Sequence, residues 1–485
     1  MMKRLLCLAG SLRNRLRGPE SAKLRDMLTD VDSAEQLKCL LAGQGRQNWP
    51  QSKASGHPLS NSEAYMYTAA WAAMHAGAEV ELACLVDYFG DRTLRDFSHS
   101  HLLDRIEAAD GILLSGPVYF GDRSSLAHDL LQLIRNHREL VRDKVFAGVT
   151  VGAKRNGGQE TCLIFQMQDF LHQGMLAVGN DSGTTSQYGG TGHAGEIGTA
   201  MDDEYGMTTS IGTGRRMAEV LDILKIGREL TLRDKPRIGI LILQDAGNRC
   251  RRLVEEQILA SPLAERADFK VFAFSRERVR RCLGCVVCPR TIGPDEEYRC
   301  NVQDKTDLFW RFHAELVDLD AMLVAGFSPR DQAGLSSVYQ GFMERTRYIR
   351  RSDYIFSNRL VAPLVLQEVG SVENLPIRIM TSNIRHNTIM FRPVIFHLQE
   401  EKLILEDQSM SALANFTDMA AQTTAGRIVR QASAAGAPQY MPFGYTLSSQ
   451  RDAEPKTIAT RREVHAARAE RACQEFKRRL KPVDA

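Results

Sequence analysis

The sequence predicts an α/β protein: two tandem, doubly wound, parallel sheets of five strands each, followed by a helical tail. Three observations carry this expectation. Short apolar runs alternate with helix-like segments, the pattern of a parallel sheet covered on both faces. The pattern restarts after DKPR (Asp234–Arg237), which reads as a linker. The two halves can also be laid over each other: ADGILLSGPVYFGDRSSLAHDLLQLIR (109–135) and LDAMLVAGFSPRDQAGLSSVYQGFMERTR (319–347) each run a buried strand, a polar turn ending in Ser-Ser, and an amphipathic helix.

In the first half the expected strands are Arg4–Ala9, Glu79–Cys84, Gly111–Ser115, Val145–Val151 and Leu176–Gly179, with helices at Ala64–Gly77 and Leu126–Leu140. In the second half they are Ile238–Leu243, Phe269–Phe274 and Ala321–Ala325, with Ile377–Thr381 and Leu403–Leu405 as weaker candidates. The domains are then 1–233, with an insertion at 14–59 holding one helix (Ser21–Leu41); 236–435; and a linker with a basic helical tail at 436–485, its helix at Thr460–Leu480.

Hydrophobic residues make up 43% and charged residues 25% of the 485 positions, which is ordinary for a globular chain. A formal charge of +3 argues for neither nucleic-acid nor membrane partners, and the arginines of the tail are read as a solvated or packed helix face. No apolar run approaches the roughly 18 residues of a membrane helix. The start, MMKRLLCLAGS, mimics a signal peptide, but its apolar run is shorter than the 7–15 or so residues such a region needs. A cytoplasmic location is therefore expected, where thiols stay reduced and clustered cysteines point to metal or redox work.

The first strand leads into Gly10-Ser11-Leu12-Arg13, and the helix that should follow begins only at Ser60-Asn61-Ser62-Glu63. Serine and asparagine cap helices well, and a capped N-terminus presents N–H groups and partial positive charge to a phosphate. Together the two pieces predict one phosphate cup with residues 14–59 looped out. GSLR alone is a weak signal, shared by any capped helix.

GSLR and SNSEA, followed in order by SGPVYFGDRSS and VGAKRNGGQE, resemble the NADPH-dependent FMN reductase and iron–sulfur flavoprotein group of the flavodoxin-like superfamily over residues 4–225. The resemblance implies a flavodoxin-like fold and bound FMN, and with the internal repeat it makes the chain two tandem flavodoxin-like domains. It places the phosphate on Ser11, Arg13, Ser60, Asn61 and Ser62, and the isoalloxazine against Pro117, Val118, Tyr119, Phe120 and Gly121. Gly157, Gly158, Gln159 and Glu160 would close over the ring edge. The residue chemistry agrees: ligands of open α/β sheets sit beyond the strands' C-terminal ends, glycines admit close approach, and aromatics offer a face to a flat ring. The long insertion departs from the family pattern and leaves the role of Arg13 open.

Four of the ten cysteines fall in RCLGCVVCPRTIGPDEEYRC (281–300). Cys282, Cys285 and Cys288 are spaced C-x2-C-x2-C, and eleven residues separate Cys288 from Cys300. Such spacing wraps three corners of a [4Fe–4S] cubane and leaves a distant fourth ligand. Structural zinc more often pairs two separated knuckles, so zinc ranks second, and a metal-free loop stays open. Iron–sulfur flavoproteins carry a compact cysteine motif in this region, with a shorter last gap. Cys7, Cys84 and Cys162 read as core residues.

The second half lacks the hydroxyls of a phosphate cup: its first strand ends in Gln244-Asp245-Ala246-Gly247-Asn248, and Asp245 would repel phosphate. It is not expected to hold FMN in the same way. Ser328, Arg330, Asp331, Arg345, Arg347, Arg385, His386 and Asn387 are placed on one strand-end surface, with Glu344, Asp353 and Glu368 as alternative salt-bridge partners. No catalytic residue is legible; Arg385 and His386 are the candidates, for binding an anionic substrate and donating a proton.

The function so expected is an FMN-dependent oxidoreductase moving electrons between NAD(P)H or a protein donor, FMN, the cluster and a small-molecule or protein acceptor, with a homodimer anticipated. Two alternatives stand: an electron-transfer or redox-sensing module without its own substrate, and a biosynthetic flavin reductase whose second domain binds an anionic substrate.

Overall fold

The computed structural model describes residues 3–16, 18–47, 59–90, 100–181, 188–193, 195, 199–293, 298–331, 334–351, 354–433, 450–451 and 453–483. Two compact units emerge, residues 1–222 and 223–485.

In the first unit, β1 (Lys3–Ala9), β2 (Ala78–Cys84), β3 (Gly111–Pro117), β4 (Val145–Gly152) and β5 (Leu176–Ala177) pair in parallel in the order 2-1-3-4-5. That is the flavodoxin-like order, with its switch point beyond the ends of β1 and β3. Every residue of β4 is buried, as befits a strand covered on both faces. The fifth position is split: β5 pairs with Val145–Phe146, and β6 (Gly190–His193) takes over beside Val149–Gly152. The expected strand 176–179 is thus cut short at Ala177. The insertion forms two helices, Gly18–Leu28 and Ala34–Gln47, where one was expected. The chain turns between them at Thr29–Val31, where N–H groups bond back to Asp26, Met27 and Leu28. Residues 48–58 of the insertion lie outside the described residues.

The second unit opens with β7 (Leu230–Leu232) and continues through β8 (Arg237–Gln244), β9 (Asp268–Phe272), β10 (Ala321–Ser328), β11 (Leu360–Glu368) and β12 (Ile389–Met390). These last five run 9-8-10-11-12, the same order as in the first unit. The fifth position is again split: β12 pairs with Leu360–Val361, and β13 (Val394–Gln399) with Leu364–Glu368.

Two strand expectations fail here. Ile377–Thr381 lies in the helix Leu375–Asn383, which carries Pro376 in its first turn and buries Leu375, Ile379 and Met380 along one face. The fourth strand is β11, which sequence reasoning missed because Pro363 sits at its centre, paired with Val324. Leu403 belongs to β14 (Lys402–Ile404), an antiparallel addition to β13.

The boundary between units falls inside the helix Glu204–Glu229, not at the DKPR linker. Its last turns pack on the long helix Glu406–Ala432, so closely that a Cβ on Gly227 would meet the Gln422 carbonyl at 2.1 Å. The tail belongs to the second unit: helix Pro455–Arg479 runs into β15 (Leu480–Pro482), which pairs with β7. Among the described residues no helix is long and apolar enough to cross a membrane.

Candidate functional site

At the end of β1 the Gly10 N–H bonds to the Ser115 carbonyl at 2.7 Å, which brings the tips of β1 and β3 together. The chain then turns through Ser11, whose carbonyl accepts Asn14 N–H and whose Oγ accepts Arg13 N–H, both at 3.1 Å. Ser60 caps the helix Asn61–His75 through a reciprocal box: its Oγ accepts Glu63 N–H, and Glu63 Oε2 accepts Ser60 N–H at 2.8 Å. The Ser60 hydroxyl donates to Asn14 Oδ1 at 3.1 Å, which ties the turn after β1 to the start of the helix.

The members of the cup differ in what they offer. Ser11, Ser60 and Ser62 are buried and Arg13 is exposed. The Ser60 hydroxyl is engaged as donor and acceptor, so its part is to shape the cup. Asn61 Oδ1 accepts Ala200 N–H at 3.3 Å. Glu63 and Asn14 were missed as site residues, although the S-x-x-E box was readable. Burial pushes the Glu63 carboxyl up to about 7, against the N–H groups of Ser60, Arg15 and Leu16 that favour its charge.

Beyond β3, the Val118 N–H bonds to Val151 O at 2.9 Å, and Tyr119 and Asp122 exchange both backbone hydrogen bonds across a two-residue turn. The central residues, Phe120 and Gly121, have φ of 52° and 80°, the signs of a type I′ turn. A bulky residue is rare there, and such strain gathers at functional sites. Tyr119 is half exposed and Phe120 fully so, leaving two aromatic faces beside the cup. The buried Arg123 anchors the turn by pairing with Asp122 and Asp169. Burial pushes the Asp122 carboxyl upward, but the Arg123 N–H groups and charge, with His128, hold it below its ordinary range.

The loop after β4 meets this turn. Gly158 has φ of 90°, and a Cβ there would lie 3.2 Å from Gly121 Cα and 3.4 Å from Val118 Cγ1. Gln159 turns inward: its amide donates to Lys154 O and Gly192 O, and its Oε1 accepts Gly157 N–H. It shapes the loop and does not reach outward, while Glu160 is exposed. Behind the loop the buried Asp203 accepts from Tyr65 OH at 2.8 Å, from His193 N–H at 2.7 Å and from Gly206 N–H at 3.0 Å, and pairs with Arg155. Partners so far apart in the chain leave no local signal.

In the second unit the cysteine limbs fold onto each other. Arg290 N–H bonds to Arg299 O at 2.9 Å and Asn301 Nδ2 to Val287 O at 2.8 Å. Cys288 is buried; Cys282, Cys285 and Cys300 are partly exposed. Burial pushes the Cys288 thiol up to about 11, Arg351 and Arg347 oppose it, and Cys300 and Cys282 add to the rise, so three of the sulfurs share one electrostatic neighbourhood. Among the described residues no three Cys, His, Asp or Glu side chains converge on a single ion. Cys7, Cys84 and Cys162 are buried core residues, as expected.

Where the first unit has its cup, the second has Asp245. Its carboxylate accepts Cys250 N–H at 3.0 Å and Arg251 N–H at 3.3 Å, so the protein's own anion occupies that helix end. The eight polar residues assigned to one surface separate by topology. Ser328 and Arg330 leave β10 at its C-terminal end, near Ser371 and Glu368, whereas Arg345 and Arg347 precede β11, and Arg385, His386 and Asn387 precede β12. Residues 385–387 therefore lie at the N-terminal entry to a strand, not beyond a strand's C-terminal end. Arg345 pairs with Asp307 at 2.9 Å, not with Glu344, and Glu368 accepts the Arg330 N–H; Asp353 lies outside the described residues. His386 is buried against Thr346 Oγ1, and burial, with Arg350 and Arg385, pushes its pKa down to about 3. It is neutral at ordinary pH and does not suit the proton-donor role.

The profile of the family described as NADPH-dependent FMN reductase matches residues 54–189. An iron–sulfur flavoprotein from Methanocaldococcus jannaschii is 40% identical over 129 residues, 26% of this chain and 65% of the relative. One from Methanosarcina thermophila is 31% identical over 140 residues, 28% of this chain and 68% of the relative. An NAD(P)H dehydrogenase (quinone) from Methylocella silvestris is 31% identical over 133 residues, 25% and 67% respectively. The chain thus spans about two thirds of the length of the curated relatives it matches, just under that for the first.

Proposed function

Because the chain belongs to the family of NADPH-dependent FMN reductases and iron–sulfur flavoproteins, we propose that it is an FMN-dependent oxidoreductase carrying electrons from NAD(P)H or a protein donor, by way of FMN and a [4Fe–4S] cluster, to a small-molecule acceptor. The observation that carries this reading is the exposed Tyr119–Phe120 turn standing beside the Ser11/Ser60 cup at the switch point of the sheet. A phosphorylated flavin fits that donor set: Ser11, Ser62 and the helix end at Asn61 would hold its phosphate, with Arg13 as a surface cation. Pro117–Gly121 would lie along the ring, and the Gly158–Gly121 approach leaves a cradle that a Cβ would fill. When bound, flavin and cluster supply the conversion between paired and single electrons. Arg123 holds the turn, Gln159 holds the facing loop, and Asp203 braces that loop through Arg155.

The second unit is read as a modified copy of the first. The repeated strand order and the repeated split in the fifth strand support this. Asp245 at the equivalent helix end supports a unit that has given up FMN and acquired a cysteine loop. The C-x2-C-x2-C run with a distant fourth cysteine suits a cubane better than zinc, whose structural sites more often pair two separated knuckles.

FMN, iron, acid-labile sulfide and zinc per chain, measured on protein purified without oxygen, test the reading. FMN with iron and sulfide in equal amounts, the iron lost in Cys288→Ser, is the expected result. FMN with zinc or no metal would leave a simple flavin reductase, and absence of FMN would sink the proposal. Steady NAD(P)H oxidation with a quinone or free flavin separates the enzyme from a pure electron carrier.

A further inference from the structure

The basic tail has no part in the reading above, yet it reaches the cysteine loop. Arg451 Nη1 donates to the Pro289 carbonyl at 2.9 Å, one residue from Cys288. The Arg468 guanidinium lies 5.6 Å from the ring centroid of Tyr298, two residues from Cys300 and wholly buried. The far end of the same helix is fastened: Arg479 pairs with the buried Asp320 at 2.7 Å, and Leu480 pairs with Leu232. Arg461 and Val464 are buried between these anchorages.

We propose that Arg451 and residues 453–480 form a strap in which Arg451 and Arg468 act as positioning residues for the cysteine loop, one holding the Cys288 limb and the other the Cys300 limb. A strap explains why so basic a helix turns arginines inward. Backbone carbonyls and aromatic faces are soft partners for a guanidinium, and both contacts fall on loop positions with little regular structure to hold them. The strap would preset the spacing of two ligands that eleven residues separate, and so lower the ordering cost of metal binding.

This inference builds on the cluster reading, and its test separates the two. In the full chain freed of metal by chelation, alkylation of the Cys288 peptide by iodoacetamide is followed by mass spectrometry. The Arg451→Ala/Arg468→Ala double variant is expected to react about tenfold faster, equal to about 1.4 kcal/mol of lost closure. The Arg451→Lys/Arg468→Lys variant, which keeps a donor and a cation over the ring, should restore most of the protection, and the exposed Arg462→Ala should change nothing. In iron-loaded protein the double alanine variant should release iron to a chelator faster. Faster alkylation with no iron bound by any form would keep the strap and remove the cluster. Iron retained normally, with alkylation unchanged in the double variant, would remove the strap and keep the cluster.

Discussion

Glu63 accepts the backbone N–H of Arg15 at 2.8 Å, joining a helix to a loop 48 positions earlier in the chain. The same oxygen accepts Leu16 N–H at 3.0 Å, and the other oxygen accepts Ser60 N–H. One buried carboxylate therefore closes the mouth of the long insertion, just behind the cup. The insertion leaves and re-enters the domain at a single point, so the cup survives an interruption that would otherwise separate its halves.

The charge state of Glu63 sets a pH dependence. Its folded pKa, about 7, lies above the ordinary carboxylate value. Between those values the folded chain holds a proton that the unfolded chain does not, so stability falls as pH rises through that window. Urea midpoints measured from pH 5 to pH 8 should decline in the wild type relative to Glu63→Gln, which has no such proton to lose. Parallel curves would show that the N–H groups keep the carboxylate charged throughout.

The Phe120 turn separates stability from binding. Phe120 is fully exposed at φ 52°, so replacing it with Asn removes strain of about 1 kcal/mol without opening a core. Phe120→Asn should raise the urea midpoint of flavin-free protein and weaken FMN retention. If affinity for FMN is unchanged, the ring does not lie on this turn.

Gly158 has neither steric nor conformational room for a side chain. Gly158→Ala should cost about 1–2 kcal/mol from its positive φ alone. Its Cβ would also press on Gly121 and lower the FMN occupancy of purified protein. Full occupancy with a normal melting temperature would contradict the cradle.

Most of the strands that sequence reasoning found are continuous apolar runs, β1, β3, β4, β8 and β10; β2 and β9 were found as well, with less of their length buried. Burial on both faces writes itself into composition. β11 escaped because Pro363 interrupts its run, and Ile377–Thr381 was mistaken for a strand because a short amphipathic helix and a short strand bury similar residues. The pieces β5, β6 and β12 are too short to carry a period, whereas the six-residue β13 was missed although its burial alternates. At the site, Ser11, Ser60 and the Tyr119–Gly121 turn were legible from local chemistry. The roles of Gln159, Asp203, Asp245 and His386 were not, because each depends on which way a side chain turns and on partners remote in sequence.

Asp320 supplies the last prediction. It is fully buried, and three guanidiniums converge on it: Arg237 through Nε at 3.1 Å, Arg427 at 2.9 Å and Arg479 at 2.7 Å. Burial alone would raise its pKa, but the Arg479 hydrogen bonds, the Arg427 charge and the Arg237 hydrogen bonds outweigh it and hold the carboxyl well below the ordinary range. A depressed folded pKa contributes stability that is complete above the unfolded value and is lost as pH falls beneath it. The second unit should therefore lose stability progressively as pH falls below about 4, the ordinary carboxylate range. Asp320→Asn should remove that acid step and cost about 3–5 kcal/mol at neutral pH, because the buried Arg427 and Arg479, with the half-buried Arg237, lose their shared counter-charge. Since Arg479 closes the tail helix and Arg237 opens β8, the loss should loosen both, and limited proteolysis should release the tail from the variant first. A tail as resistant as in the wild type would mean that β15 and the packing on Glu406–Ala432 suffice to hold it.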